Sequence, residues 1–175
     1  MTLGSHQRSV GVSQAHITPR WIIDALGVFD TDPAAAYPRP WNCATVNYTE
    51  ADDGLSRPWH GRVWLNPPFD RYHVGQWIQR LSDHGRGTAL LHARTETGWF
   101  GTCWQSADRI LFLSRRLIFL QANGQPCVTR NGETANSGAP PALVAFGEYD
   151  ADRLTEFAQR HGGALVNQWK VFDGQ

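Results

Sequence analysis

Asn66-Pro67-Pro68-Phe69 follows directly on the apolar run Val63-Trp64-Leu65. An amide, two prolines and an aromatic ring in that order can grip a flat amine. An exocyclic amine on a planar ring is a poor nucleophile, because its lone pair is delocalised into the ring. Two acceptors set against its two N–H bonds favour a more tetrahedral nitrogen and free that lone pair. The Asn66 side-chain oxygen is one acceptor. The other is a backbone carbonyl, that of Pro67, held stiffly because proline restricts its own torsions and those of the residue before it. Phe69 supplies a face on which a base can stack, worth about 1–3 kcal/mol. Acceptors fixed in advance need no rearrangement as charge develops. The plain alternative is a strand ended by a rigid turn, since neither proline can continue a central strand. Average residue usage places [Asn/Asp/Ser]-Pro-Pro-[aromatic] in roughly one chain of this length in a hundred. Its position at the end of an apolar run favours chemistry over a bare turn.

Such groups need a scaffold that holds them at strand ends. Thr18-Pro19 opens a helix as capping hydroxyl and first-turn proline, with Trp21, Ile22, Ala25 and Leu26 as its apolar stripe and Gly27 as its stop. Strands are predicted over 28–32, 44–48, 62–65, 88–93, 110–113, 117–120, 142–146 and 164–169. Helices are predicted over 74–81, near 97–107, and after a capping Asp150 as far as Gly162-Gly163. Residues 33–42 and 121–141 have loop composition. Strands alternating with helices imply an α/β fold with a mostly parallel twisted sheet and helices on both faces. Ligands of such sheets bind beyond the carboxyl ends of the strands. Asp32, Asp53, Asn66 and the Ala93-Arg94 junction all fall at such ends.

The 175 residues fit one domain, 17–175, behind a flexible arm, 1–16. The 16 basic and 16 acidic side chains cancel, so charge does not advertise nucleic acid, although a local basic groove can coexist with acidic surface elsewhere. Cys43, Cys103 and Cys127 are odd in number and far apart, and the chain has neither CxxC nor HExxH, so neither disulfides nor a metal site is expected. No apolar run approaches the ~20 residues of a membrane helix, and a cytoplasmic protein is expected. The sequence leaves oligomeric state open.

Read in order, the chain resembles the compact phage-type DNA N-6-adenine methyltransferases that use S-adenosyl-L-methionine. The resemblance runs through Thr18-Pro19 with Trp21, Asp32-Pro33-Ala34-Ala35, Asp53-Gly54-Leu55 and Pro58-Trp59-His60-Gly61 to the Asn66-Pro67-Pro68-Phe69 motif. It continues through Ala93-Arg94-Thr95-Glu96-Thr97 with Trp99-Phe100, Arg109 to Leu113 with Arg116, Leu117 and Phe119, and Pro140 to Val144. It implies a Rossmann-like methyltransferase fold. It implies that Thr18, Pro19, Asp32, Pro33, Ala34 and Asp53 surround the methyl donor, with Glu50 on its ribose. It implies that Asn66, Pro67, Pro68 and Phe69 hold the target adenine, that Arg94, Thr95 and Thr97 lie near the DNA strand, and that Arg115 and Arg116 meet phosphate. The 121–141 loop, with Thr129-Arg130-Asn131, is the expected DNA-facing element. Many methyltransferases place a glycine-rich turn after the first strand. Here the turn is Asp32-Pro33-Ala34-Ala35-Ala36, as in the phage type.

Two other readings use the same residues. Protein-glutamine methyltransferases apply an Asn-Pro-Pro-aromatic grip to a side-chain amide, but usually with the glycine-rich turn and an extra helical domain. A DNA-binding module on an inactive methyltransferase fold would bind DNA without binding donor.

Overall fold

Alternation along the strands sorts the core of the computed structural model, which describes residues 16–70 and 72–167, into two layers. The expected 1–16 arm therefore falls outside the described residues except for His16, as does the end of the last predicted strand. Trp64, Leu90, Leu143 and Ala145 face one way and pack with α1 (Arg20–Leu26) and α4 (Glu148–His161). Val63, Leu65, Ala89, Leu91, Ala142 and Val144 face the other way and pack with α2 (Val74–His84) and α3 (Gly98–Ser106). Helices thus cover both faces of one sheet. In α2 the buried residues Val74, Trp77, Ile78 and Leu81 recur at helical spacing, and Gly85, at φ 70°, closes it in the left-handed region.

The sheet contains β1 (Thr31–Asp32), β2 (Val46–Asn47), β3 (Val63–Leu65), β4 (Gly87–His92), β5 (Arg109–Phe112), β6 (Pro141–Phe146) and β7 (Ala164–Val166). Their order is β2-β1-β3-β4-β6-β5-β7. The pairs β1–β2, β1–β3 and β3–β4 are parallel, and β4–β6, β5–β6 and β5–β7 are antiparallel. A mostly parallel sheet was expected. Instead parallel pairing fills one half, because β6 inserts in reverse between β4 and β5. The carboxyl ends of β1, β2, β3 and β4 nevertheless share one edge.

Several elements differ from expectation for local reasons. β1 is short because the Asp30 and Thr31 amides both donate to the Arg62 carbonyl, at 2.8 and 3.2 Å, which interrupts the ladder. Residues 117–120 are not a sheet strand. The free edge of β5 is taken by β7, and the chain turns away so that Leu117 and Phe119 fill the first core layer. Leu120 instead forms isolated bridges to Ile17 and Pro126. Asp150 does not cap α4. It lies in the first turn, fully buried, and its carboxylate accepts from Arg62 Nε and Thr88 Oγ1, both at 2.8 Å.

Gly54 shows why a residue type can be dictated from outside its own segment. A Cβ there would overlap the Pro33 carbonyl, in the turn that leaves β1. Gly54→Ala is expected to displace that turn and lower the melting temperature by several degrees, a shift corresponding to about 1–3 kcal/mol of steric strain. Thermal unfolding at neutral pH checks this, and an unchanged midpoint would refute it.

Candidate functional site

Leu65 ends β3, and Asn66 emerges half-buried at the shared edge. Its Nδ2 donates to the His16 carbonyl at 3.0 Å and to Thr18 Oγ1 at 3.3 Å. A carbonyl oxygen can only accept, so the amide end facing His16 must be the NH2. The other end, Oδ1, is buried with no hydrogen-bond partner. Buried acceptors are rarely left this way, because desolvation without compensation costs about 1–3 kcal/mol. Pro67 is buried and Pro68 exposed. Phe69 packs against the second core layer and stacks on His92, with ring centroids 4.0 Å apart and planes within 9°. Asp70 then starts α2: its Oδ1 accepts from the Tyr72 and His73 amides at 3.0 Å each.

His92 closes β4. Burial, with help from the nearby charges of Arg94 and His16, lowers its pKa to about 4, so the ring stacked on Phe69 is neutral at physiological pH. His16 is also pulled down by burial. Neither histidine carries a sequence signature. For His92 the available signal was a polar residue ending a largely apolar strand at the carboxyl edge of the sheet.

Asp32 ends β1 and is 4 % exposed. Burial pushes its pKa up to about 7, opposed by the Ala34 amide, which donates to Oδ1 at 3.1 Å, by the charge of Arg39 and by the Cys43 thiol. Cys43 is pushed up to about 12 by burial and by Asp32, so it stays a thiol. Among the described residues Asp32 forms no ion pair. Because its folded pKa exceeds its ordinary value near 4, the folded state holds this proton longer than the unfolded chain does. The resulting stabilisation is complete below about pH 4 and is lost as pH rises to about 7. Asp32→Asn, which cannot ionise, should therefore gain melting temperature relative to wild type between pH 5 and pH 8. Parallel pH profiles for the two proteins would refute this.

The other expected site residues divide. Thr18 and Pro19 are buried beside Asn66; Thr18 makes no capping bond to α1, and its hydroxyl accepts from the amide instead. Pro33 is buried and Ala34 half-buried in the turn after β1. Glu50 and Asp53 are exposed in the turn after β2; the acid that bonds there is Asp52, whose Oδ2 accepts from Thr49 N and Oγ1 at 2.8 Å each. Asp53, at φ 52°, closes the short 3-10 turn. Arg94 and Thr95 are exposed, and Thr97 donates through N and Oγ1 to the Arg94 carbonyl at 3.0 and 2.7 Å. Arg115 is exposed, while Arg116 reaches back to the Ser137 carbonyl at 2.8 Å. Arg130 is exposed on a tight reversal closed by Val128 and Thr134.

A cavity of about 370 Å³ opens between α1 and the approaches to β1 and β2, lined by residues that include Asp24, Phe29, Asn42 and Cys43. Asn66 does not line it. Among the described residues no group of three or more potential ligands gathers to hold a metal, and no helix is long and apolar enough to cross a membrane.

The family model described as DNA N-6-adenine-methyltransferase (Dam) matches residues 8–170. No curated protein and no solved structure matches the chain.

Proposed function

Because the chain belongs to the DNA N-6-adenine-methyltransferase family, we propose that it transfers a methyl group from S-adenosyl-L-methionine to the exocyclic amino group of adenine in DNA, at particular sites. The observation that carries this reading is the buried, unpartnered Asn66 Oδ1, on an amide whose NH2 end is fixed by the His16 carbonyl. An acceptor held ready at a strand end suits an N–H donor that arrives with the substrate.

The residues also fit the donor. Asp32 is a buried carboxyl with a pKa of about 7 and no ion pair among the described residues, a setting suited to a cationic ligand. Pro19, Asp32, Pro33 and Ala34 would hold the donor, with Glu50 and Asp53 at the far side of the same edge, while the hydroxyl of Thr18 is taken by the Asn66 amide. When bound, the donor supplies a methyl group on a positively charged sulfur.

The chain does the rest. Adenine must leave the DNA stack to be reached, at a cost of a few kcal/mol. Phe69 takes its face, and Asn66 Oδ1 and the Pro67 carbonyl take its two N–H bonds. With its lone pair drawn out of the ring by these two acceptors, the nitrogen would be ready to take the methyl group that the donor would supply, the positive charge leaving the sulfur with that transfer. The nitrogen then sheds a proton, made acidic by alkylation, so no basic side chain is required. Neutral His92 backs Phe69 without adding charge to the pocket. Arg94, Thr95, Thr97, Arg115, Arg116 and Arg130 would meet the DNA, whose phosphates position the duplex. One catalytic domain, 17–175, performs this in the cytoplasm.

The test is incubation with plasmid DNA and labelled donor, followed by digestion to nucleosides and mass analysis. N6-methylated deoxyadenosine is expected. Label on cytosine, label on protein, or no label would overturn the reading.

A further inference from the structure

An acceptor on Asn66 is useful only if its amide is held the right way round, and the segment ahead of α1 does the holding. We propose that Thr18 is a positioning residue for the Asn66 amide, acting with the His16 carbonyl; the inference rests on the role of Asn66 given above.

The two ends of an asparagine amide are nearly the same size, and a half-turn exchanges them. Here that half-turn would set Oδ1 against the His16 carbonyl oxygen, acceptor against acceptor. It would also give up the bonds from Nδ2 to His16 O, at 3.0 Å, and to Thr18 Oγ1, at 3.3 Å. Thr18 is 2 % exposed, so water cannot readily replace its hydroxyl. The carbonyl is itself fixed. Ile17 exchanges two backbone hydrogen bonds with Leu120, at 3.0 and 2.9 Å, and the His16 ring lies 5.3 Å from that of Phe119. Leu120 in turn bridges to Pro126, at the start of the reversal that carries Arg130. Residues 16–18 therefore form a strap between the catalytic amide and the arm at 117–134. Loss of the Thr18 hydroxyl removes one of the two bonds that fix the amide and leaves the donor's own contacts in place.

The test compares full-length wild type, Thr18→Val and Thr18→Ser by three readouts. These are donor Kd by calorimetry, kcat and KM for DNA at saturating donor, and the 15N resonances of the Asn66 side-chain NH2. Thr18→Val is expected to lower kcat about tenfold, the rate equivalent of one ordinary hydrogen bond. Donor Kd and KM for DNA should stay unchanged while the Asn66 NH2 signals shift. Thr18→Ser should restore both rate and shift. A Val variant with wild-type kcat and unmoved NH2 signals overturns the proposal. So does one that weakens donor binding while kcat at saturation is intact, which would make Thr18 a donor contact only. If wild type itself transfers no methyl group, the catalytic reading fails, and the NH2 signals still decide whether Thr18 fixes the amide.

Discussion

Asn66→Ala is expected to lower kcat by about 10²–10³-fold while donor affinity is unchanged. Oδ1 is buried and unpartnered in the free protein, so its stabilising contact is made only with the substrate amine. An interaction strongest as the amine changes geometry appears in kcat rather than in ground-state binding. Asn66→Asp separates geometry from chemistry. It keeps an acceptor but loses the NH2 that bonds His16 and Thr18, and it should fall between wild type and Ala. Single-turnover transfer of labelled methyl into DNA, beside calorimetry of donor binding, measures both quantities. An Ala variant that turns over within a few-fold of wild type would remove Asn66 from the mechanism.

The largest expected effect on stability lies on the far side of the sheet from α2 and α3. Arg62 and Asp150 form an ion pair at 2.8 Å, with side chains 3 % and 0 % exposed. Arg62 Nη1 also donates to the Leu26 and Val28 carbonyls, at 2.9 and 3.1 Å, and its guanidinium lies 4.0 Å from the centre of the Phe29 ring. Burial raises the Asp150 pKa against the opposing pull of Arg62. Asp150→Ala would leave a buried guanidinium without its anion. The expected loss is about 3–5 kcal/mol, a large part of the margin of an ordinary domain. The double variant Arg62→Met/Asp150→Leu should be more stable than Asp150→Ala, because the cost comes from an uncompensated charge rather than from losing the pair as such. Urea unfolding of the variants tests this. A loss below about 1 kcal/mol in Asp150→Ala would mean that Arg62 finds another partner or reaches water.

What could be read from the sequence was whatever the chain imposes on its near neighbours. Prolines after Leu65 end a strand wherever that strand lies, helical spacing from Val74 to Leu81 buries one face, and Gly85 stops the turn. These rules placed Asp32, Asn66 and the Ala93-Arg94 junction at strand ends without a partner in view, whereas Asp53, expected there too, lies in the turn beyond the end of β2. Tryptophans 64, 77, 99 and 104 all have the character of core residues; Trp64 and Trp77 are buried, at 0 % and 8 % exposed, while Trp99 and Trp104 are half-buried against the second core layer. The misplaced elements are those whose partners are remote. Asp150 has the local features of a helix cap, yet its carboxylate is claimed by Arg62, 88 residues away. Residues 117–120 have the composition of a strand, yet β7 already occupies the edge they would need.

The same division runs through the site. The amide, the prolines and the ring were fixed by residue type and adjacency, because torsional restriction and side-chain chemistry are local properties. Which end of the amide is left without a partner was decided by the His16 carbonyl, 50 residues earlier in the chain. The neutrality of His92 and the raised pKa of Asp32 follow from burial among neighbours that meet only once the sheet has formed. Hydrogen-bond direction and desolvation depend on what surrounds a group in space, and no window of sequence contains that.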